Sequence, residues 1–411
     1  MKDFTIEYFT MTEQDAVDYA RTSIDFFQTD AELSCKEIGD GNLNYVFKVV
    51  DGKNNKSVII KQAGPVARIS DDFKLSTDRN RIESEILGVQ NKLAPGFVPK
   101  VYHYDSIMNC CVMEDLSDHE IMRTALLKHK KFPLFADHIT SFLVNTLLCT
   151  SDVVLEHKEK KALVKQFINP ELCEITEDLV YTEPFYDCPR NEVFEGSKEF
   201  VKDHIWNDKK LVLESAKLKF EFMTNAQSLL HGDLHTGSIF IKKDSTKVID
   251  PEFAFYGPAG YDIGNIMANL IFAYANGKFT IDDEKTRNDY LNYLVTTIRD
   301  VINLFTDKFN NAWDDKATER VASYEGFKEY YLEAILRDTA AVTGLELLRR
   351  IIGLAKVKDI TSIQNPESRT RAEKICLTVG KELILNRESI KSGPDYINAI
   401  HGAERTSVKE A

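Results

Sequence analysis

The chain has 411 residues, 43% of them hydrophobic and 10% aromatic, enough for a sizeable buried core and, by length, roughly two to three domains. Its formal charge of −13 argues against nucleic acid or an anionic membrane as a partner, since phosphate backbones are met by basic surfaces. The seven cysteines are odd in number and contain no Cys-x-x-Cys pair, which argues against a disulfide framework or zinc ribbon and for reduced thiols in the cytoplasm.

Residues 1–7 lack the basic-then-apolar plan of a secretory signal. The most apolar stretch, 266–275, is interrupted by Asn269 and is too short to span a bilayer, so a soluble intracellular protein is expected. Thr12-Glu13-Gln14-Asp15 reads as a capping box opening a helix through about Phe27. Strands follow: one near 35–38, then 44–50 and 57–62 around the turn Asp51-Gly52-Lys53-Asn54-Asn55. Between the first two lies Gly39-Asp40-Gly41-Asn42, a turn whose backbone amides could cradle phosphates together with Asn44. A helix over 81–93 puts Ile82, Ile86, Val89 and Leu93 on one face, and 98–104 and 110–113 supply two more strands.

Lys61 ends an apolar strand and is either an exposed terminus or a phosphate-anchoring lysine. Glu83 and Glu85 flank the apolar face of the next helix on opposite sides; Glu83 is taken as the partner of Lys61 and Glu85 as the fallback. Met113-Glu114-Asp115-Leu116 stands at the junction of the lobes, where backbone groups would read adenine. From Ser117 the pattern turns helical, with Ser117-Asp118-His119-Glu120 as a second capping box. Only a hairpin at 238–250 interrupts the helices that fill 119–229 and 260–400. The division expected is an N-terminal nucleotide lobe at 1–115, a helical lobe at 116–401 that includes the hairpin segment 231–252, and a frayed polar tail at 402–411.

The chemistry concentrates at that hairpin. His231-Gly232-Asp233-Leu234-His235 precedes the strand at 238–241, and Asp250-Pro251-Glu252 ends the strand at 247–250. Phosphoryl transfer needs one carboxylate to receive the acceptor's proton and others to hold a divalent cation on the nucleotide phosphates. Asp233 is the candidate base, on a loop that Gly232 frees to bend, and Asp250 and Glu252 are hard-oxygen candidates for Mg²⁺. A zinc pair at His231 and His235 is disfavoured, because Gly232 stands where a zinc-site helix needs glutamate; His235 is expected to pin the loop. Asp262 is expected to hydrogen-bond the catalytic loop. Arg349 and Arg350 lie in an apolar helix and point about 100° apart, so at least one is driven toward buried surroundings. They could stabilise the transferring phosphoryl group, bind sugar hydroxyls, or form a salt bridge with an acidic neighbour.

On these motifs the chain resembles the aminoglycoside phosphotransferase and choline kinase superfamily and, within it, the methylthioribose kinases. Ser238 stands where most of the superfamily has asparagine, and the second motif runs Asp250-Pro251-Glu252-Phe253-Ala254-Phe255-Tyr256-Gly257-Pro258. Both features resemble the methylthioribose kinases, as do Arg349 and Arg350 followed by Gly353-Leu354-Ala355, although Lys356 replaces an expected histidine. The resemblance implies an α+β, protein-kinase-like two-lobe fold, with a small β-rich N-terminal lobe and a large, mainly helical C-terminal lobe. It further implies ATP and Mg²⁺, transfer to the anomeric 1-hydroxyl of 5-methylthioribose in methionine salvage, and a homodimer. Asp233, Arg349 and Arg350 would then serve catalysis and substrate binding, and Glu252 would take over the metal coordination that asparagine provides elsewhere. A same-fold kinase acting on an aminoglycoside, choline or homoserine, and a pseudokinase that binds nucleotide without catalysis, are the alternatives.

Overall fold

The structure, a computed structural model, describes residues 2–38, 44–64 and 76–409. Gly39, Asp40, Gly41 and Asn42, the expected phosphate turn, lie outside the described residues. The chain forms two compact units, Met1–His119 with Lys247–Ala254, and Glu120–Thr246 with Phe255–Ala411. Residues 247–254 therefore group with the first unit, whereas the sequence reading assigns the whole segment 231–252 to the helical lobe.

In the first unit, Thr12 caps α1 (Glu13–Thr22): its hydroxyl accepts from the Asp15 backbone while the Asp15 side chain accepts from the Thr12 N–H. The helix ends at Thr22, short of the expected Phe27, because Phe26 and Phe27 leave the helix to pack edge-on against each other, Phe26 also meeting Tyr102. Strands β1 (Leu33–Glu37), β2 (Asn44–Asp51) and β3 (Lys56–Ala63) precede α2 (Asp78–Leu93), and β4 (Val101–Asp105) and β5 (Cys110–Glu114) follow it. They make an antiparallel five-stranded sheet in the order β1-β2-β3-β5-β4. Phe47, Val49, Val58, Ile60 and Val112 on one face close over Phe4, Ala16 and Tyr19. Full burial of each large side chain contributes about 1.5–3 kcal/mol, which is how so short a helix is held to the sheet.

The second capping box does not form. Asp115 accepts from the Ser117 backbone N–H at 3.0 Å and from its hydroxyl, so Ser117 is spent on a turn and cannot cap a helix. The chain instead enters the second unit through a short strand, β6 (Glu120–Ile121), before α3 (Met122–Leu127).

Four helices follow: α4 (Phe135–Leu147), α5 (His157–Gln166), α6 (Pro170–Leu179) and α7 (Lys198–Val201), with α8 (Lys209–Thr224) after them. Strands β7 (Ser228–Leu229) and β8 (Ile239–Lys242) bracket the His231–His235 loop; β9 (Ser245–Val248) leads into the first unit and β10 (Tyr256–Gly257) returns from it. The long helices α9 (Gly260–Thr280), α10 (Glu284–Lys316), α11 (Phe327–Ile352), α13 (Pro366–Leu385) and α14 (Gly393–Lys409), with the short α12 (Lys358–Thr361), complete the unit. α9 and the C-terminal half of α11 are buried all round, so the charged residues Asp262, Glu346, Arg349 and Arg350 are buried with them. A Cβ at Gly344 would lie 2.4 Å from the Gly380 carbonyl, so glycine on both sides lets α11 and α13 touch backbone to backbone. That contact fixes the end of α11 that carries Arg349 and Arg350.

The expected frayed tail is helical through Lys409. Ala403 is buried, and Glu404 accepts from Tyr274 at 2.9 Å and pairs with Lys278 at 2.8 Å, which ties the last turns to α9. The α+β class expected from the sequence is the one observed, an antiparallel sheet unit and a mainly helical unit.

Candidate active site

In the first unit, Lys61 on β3 lies 2.8 Å from Glu83 of α2 and 2.7 Å from Glu252, and it also pairs with Asp250. Glu85 turns away and pairs with Arg81 at 2.6 Å, one helical turn earlier, so Glu83 is the partner of Lys61. Burial disfavours a charged Lys61, but Asp250, Glu252 and Glu83 more than offset it and hold its pKa well above the ordinary lysine value. Burial pushes Glu83 and Glu252 upward, with Lys61 opposing the shift in both.

Asp250 is not in the expected strand. β9 ends at Val248, where its N–H donates to the Phe97 carbonyl at 2.7 Å, and Asp250 takes a left-handed φ of 66° ahead of Pro251. A non-glycine residue held there costs free energy, and its half-exposed carboxylate meets Lys61. Carboxylate oxygens of Glu83, Asp250 and Glu252 lie within 4.8 Å of one another. Three hard oxygen donors at that spacing fit a divalent cation such as Mg²⁺, with Lys61 as the resident countercharge. Asn44 donates its amide to Glu252, and the buried Arg79 packs beside both.

At the end of β5, within the first unit, Glu114 accepts from the Lys100 N–H at 3.1 Å. The Asp115 carboxylate accepts from Ser57 at 2.6 Å and pairs with Lys48 at 2.8 Å, and Leu116 is buried. Both side chains at 115 and 116 are engaged internally.

In the second unit, Gly232 takes φ +84°, a conformation that glycine alone adopts without strain, and bends the loop after β7. Asp262, in the first turn of α9, accepts from the His231 N–H at 2.7 Å and the Gly232 N–H at 3.0 Å. The expected bond from Asp262 to the loop is therefore present. His235 Nδ1 accepts from the Ser238 N–H at 3.1 Å, so a neutral ring carries its proton on Nε2, which lies 3.5 Å from Asp233 Oδ2. Burial and the nearby Arg123 and Arg350 push the His235 pKa well below its ordinary value, which keeps the ring neutral. Ser238 Oγ donates to the Asp233 carbonyl at 3.1 Å and so braces the loop.

Arg349 and Arg350 are both buried, and the acidic neighbour considered from the sequence exists. Glu346 receives the Nε of Arg349 on one oxygen and the Nε of Arg350 at 2.8 Å on the other. This fork turns the far nitrogens toward Asp233 Oδ1, at 3.6 Å from Arg349 and 3.5 Å from Arg350. Burial pushes the Glu346 carboxyl up, but the two guanidinium groups outweigh it and hold its pKa below the usual range. Asp233 stays partly exposed, with 28% of its side chain open.

Sequence reasoning passed over Glu346, Arg79 and Arg123. Arg123 of α3 donates to Asn269 at 2.9 Å and lies 3.6 Å from the buried Asp359. Glu346 was findable, since it precedes the arginines by three and four residues, the spacing that brings helical side chains together.

The model of the phosphotransferase enzyme family matches residues 198–288. Among solved structures, a choline kinase from Cryptosporidium parvum Iowa II aligns over 97% of this chain and 95% of its own at 11% identity and a TM-score of 0.44. The methylthioribose kinase of Bacillus pumilus (strain SAFR-032) is 41% identical over 97% of this chain and 98% of its own length. That of Bacillus cereus (strain ZK / E33L) is 43% identical over 92% and 93%. Identity at this level, sustained across nearly the full length of both chains, makes the protein a member of the methylthioribose kinase family.

Proposed function

We propose that the protein transfers the γ-phosphoryl group of ATP to the anomeric 1-hydroxyl of 5-methylthioribose, giving 5-methylthioribose 1-phosphate. The observation that carries this reading is the part-exposed Asp233 carboxylate, flanked by two clamped guanidinium groups, in a chain 41% identical to a methylthioribose kinase. Asp233 orients the acceptor hydroxyl and takes its proton as the new O–P bond forms and the bond from the γ-phosphorus to the bridging oxygen of ADP breaks. An anomeric hydroxyl is more acidic than a simple alcohol, so a carboxylate is base enough. Arg349 and Arg350 spread positive charge over the transferring group or hold the sugar hydroxyls.

Lys61, oriented by Glu83, would bind the nucleotide phosphates, and Asp250 and Glu252 would hold Mg²⁺. Bound there, Mg²⁺ supplies neutralisation of phosphate charge. Asn44 and the turn Gly39, Asp40, Gly41 and Asn42 would line the phosphates, and the backbone at Glu114, Asp115 and Leu116 would read adenine. We divide the enzyme functionally into a nucleotide lobe, 1–115 joined by 247–254, and an acceptor lobe formed by the helical remainder.

Seven free cysteines suit the reducing cytoplasm, and the family resemblance implies a homodimer. No helix among the described residues is long and apolar enough to cross a membrane.

The test is ADP release from ATP with 5-methylthioribose, ribose, choline, homoserine and an aminoglycoside as acceptors, with ³¹P NMR of the product. A methylthioribose-dependent rate and an anomeric phosphate resonance are expected. Preference for another acceptor would defeat the substrate assignment and leave a kinase; no acceptor-dependent turnover would favour a nucleotide-binding pseudokinase.

A further inference from the structure

We infer that Arg79 is a positioning residue of the nucleotide and metal site, setting Asn44 and Glu252 in the arrangement that receives a divalent cation with its nucleotide. The inference rests on the nucleotide reading of the first unit given above. Arg79 is the second residue of α2 and is 3% exposed. A guanidinium so deeply buried needs partners on most of its nitrogens.

Those partners come from four segments. Nη1 donates to the Ser76 carbonyl at 2.8 Å, and Nη2 donates to the Gly64 carbonyl at 3.0 Å and to Asn44 Oδ1 at 3.1 Å. Nε faces Glu252 Oε2 at 3.4 Å. Because Asn44 Oδ1 is taken up by Arg79, its Nδ2 is turned the other way, where it donates to Glu252 Oε1. Arg79 thus reaches Glu252 twice, directly through Nε and indirectly by fixing which end of the Asn44 amide points at it.

The electrostatics run the same way. Glu83, Asp250 and Glu252 crowd one site, and Lys61 alone would balance a single carboxylate. Arg79 supplies a second positive charge from behind Glu252, where it lowers the cost of an ionised, buried carboxylate without occupying the half-exposed side at Asp250. A lysine could carry that charge, but its three donors on one nitrogen cannot span the Ser76 carbonyl, the Gly64 carbonyl, Asn44 and Glu252 together.

The experiment titrates Mn²⁺ against the protein with ADP, read by loss of the free-ion EPR signal, in wild type, Arg79→Met, Arg79→Lys and Asn44→Ala. Affinity for 5-methylthioribose and the thermal midpoint are measured alongside. Expected is a tenfold or greater loss of Mn²⁺·ADP affinity in Arg79→Met, partial recovery in Arg79→Lys, and a smaller loss in Asn44→Ala, with acceptor affinity unchanged. A folded Arg79→Met with wild-type Mn²⁺·ADP affinity overturns the inference, as does equal weakening of nucleotide and acceptor binding. If Arg79→Met does not fold, Arg79→Lys decides: weakened Mn²⁺·ADP uptake with unchanged acceptor affinity supports the inference and wild-type uptake overturns it. A wild type that takes up no Mn²⁺ with ADP would overturn the nucleotide reading itself, and this inference with it.

Discussion

Arg350 donates its Nε to Glu346 at 2.8 Å, one turn back along α11, and this contact faces the rest of its guanidinium toward Asp233. Glu346 holds Arg349 in the same way, so one buried carboxylate orients both cations. Removing it with Glu346→Ala leaves two buried guanidinium groups with only the part-exposed Asp233 as countercharge, a loss that costs up to about 3–5 kcal/mol of stability. Glu346→Gln keeps the shape and one acceptor; turnover is expected to fall more than the thermal midpoint. Steady-state kinetics beside a melting curve check both, and wild-type turnover in Glu346→Gln would remove the clamp from the account.

Two glutamates that helical spacing could not separate now make opposite predictions. Glu83 pairs with Lys61, and Glu85 with Arg81 near the surface. A hydrogen bond to a charged group is worth about 1.5–3 kcal/mol, so Glu83→Gln should lower kcat/KM for ATP on the order of 10- to 100-fold. Glu85→Gln should leave it within about twofold, as surface pairs contribute little. Equal effects would show that the Lys61–Glu83 pair does not serve the nucleotide.

The crowded carboxylates at Asp250, Glu252 and Glu83 predict that Mg²⁺·ADP stabilises the protein against heat. At a hundredfold excess over its dissociation constant, a ligand adds about 2.7 kcal/mol. EDTA should abolish the shift, Asp250→Ala should abolish it more completely than Glu252→Ala, and differential scanning fluorimetry reads all three. A full Mg²⁺-dependent shift in Asp250→Ala would remove the metal assignment.

Asp338, buried within α11, gives a prediction on stability alone. Burial, only partly opposed by Arg337 at 3.6 Å, pushes its carboxyl up to about 6. The folded state therefore binds this proton more tightly than the unfolded chain does, and the group's contribution is lost as pH rises from about 4 to about 6. Asp338→Asn carries no such penalty. Its stability relative to wild type should climb over that window by up to roughly 3 kcal/mol, the two-unit difference in pKa from the unfolded value of about 3.9. Urea titrations at pH 4.5 and 7 measure the difference, and a gap independent of pH would contradict it.

What the sequence made legible was chemistry with a pattern. His231, Gly232, Asp233, Asp250 and Glu252 announce themselves because a bent loop and a carboxylate pair have few other uses beside short apolar strands. What it hid were choices made by tertiary partners. Arg81 and Glu85 stand at helical i,i+4 spacing and Asp115 and Ser117 two residues apart, but such spacing does not say that Glu83 will turn inward to Lys61 or that Asp115 will capture Ser117 and cancel a helix start. α1 stops at Thr22 because Phe26 and Phe27 gain more from packing than from one further turn, a contest that periodicity does not see. Arg79 and Arg123 escaped for the same reason: a lone arginine on a helix reads as surface until its buried partners are known.

The most direct test of the whole is the rate of ADP formation with saturating ATP, Mg²⁺ and 5-methylthioribose in Asp233→Asn against wild type. A positioned base contributes on the order of 10²–10⁴-fold, so the variant should lose that much in kcat while still binding nucleotide. Equal rates in the two proteins would mean that Asp233 receives no proton from the acceptor.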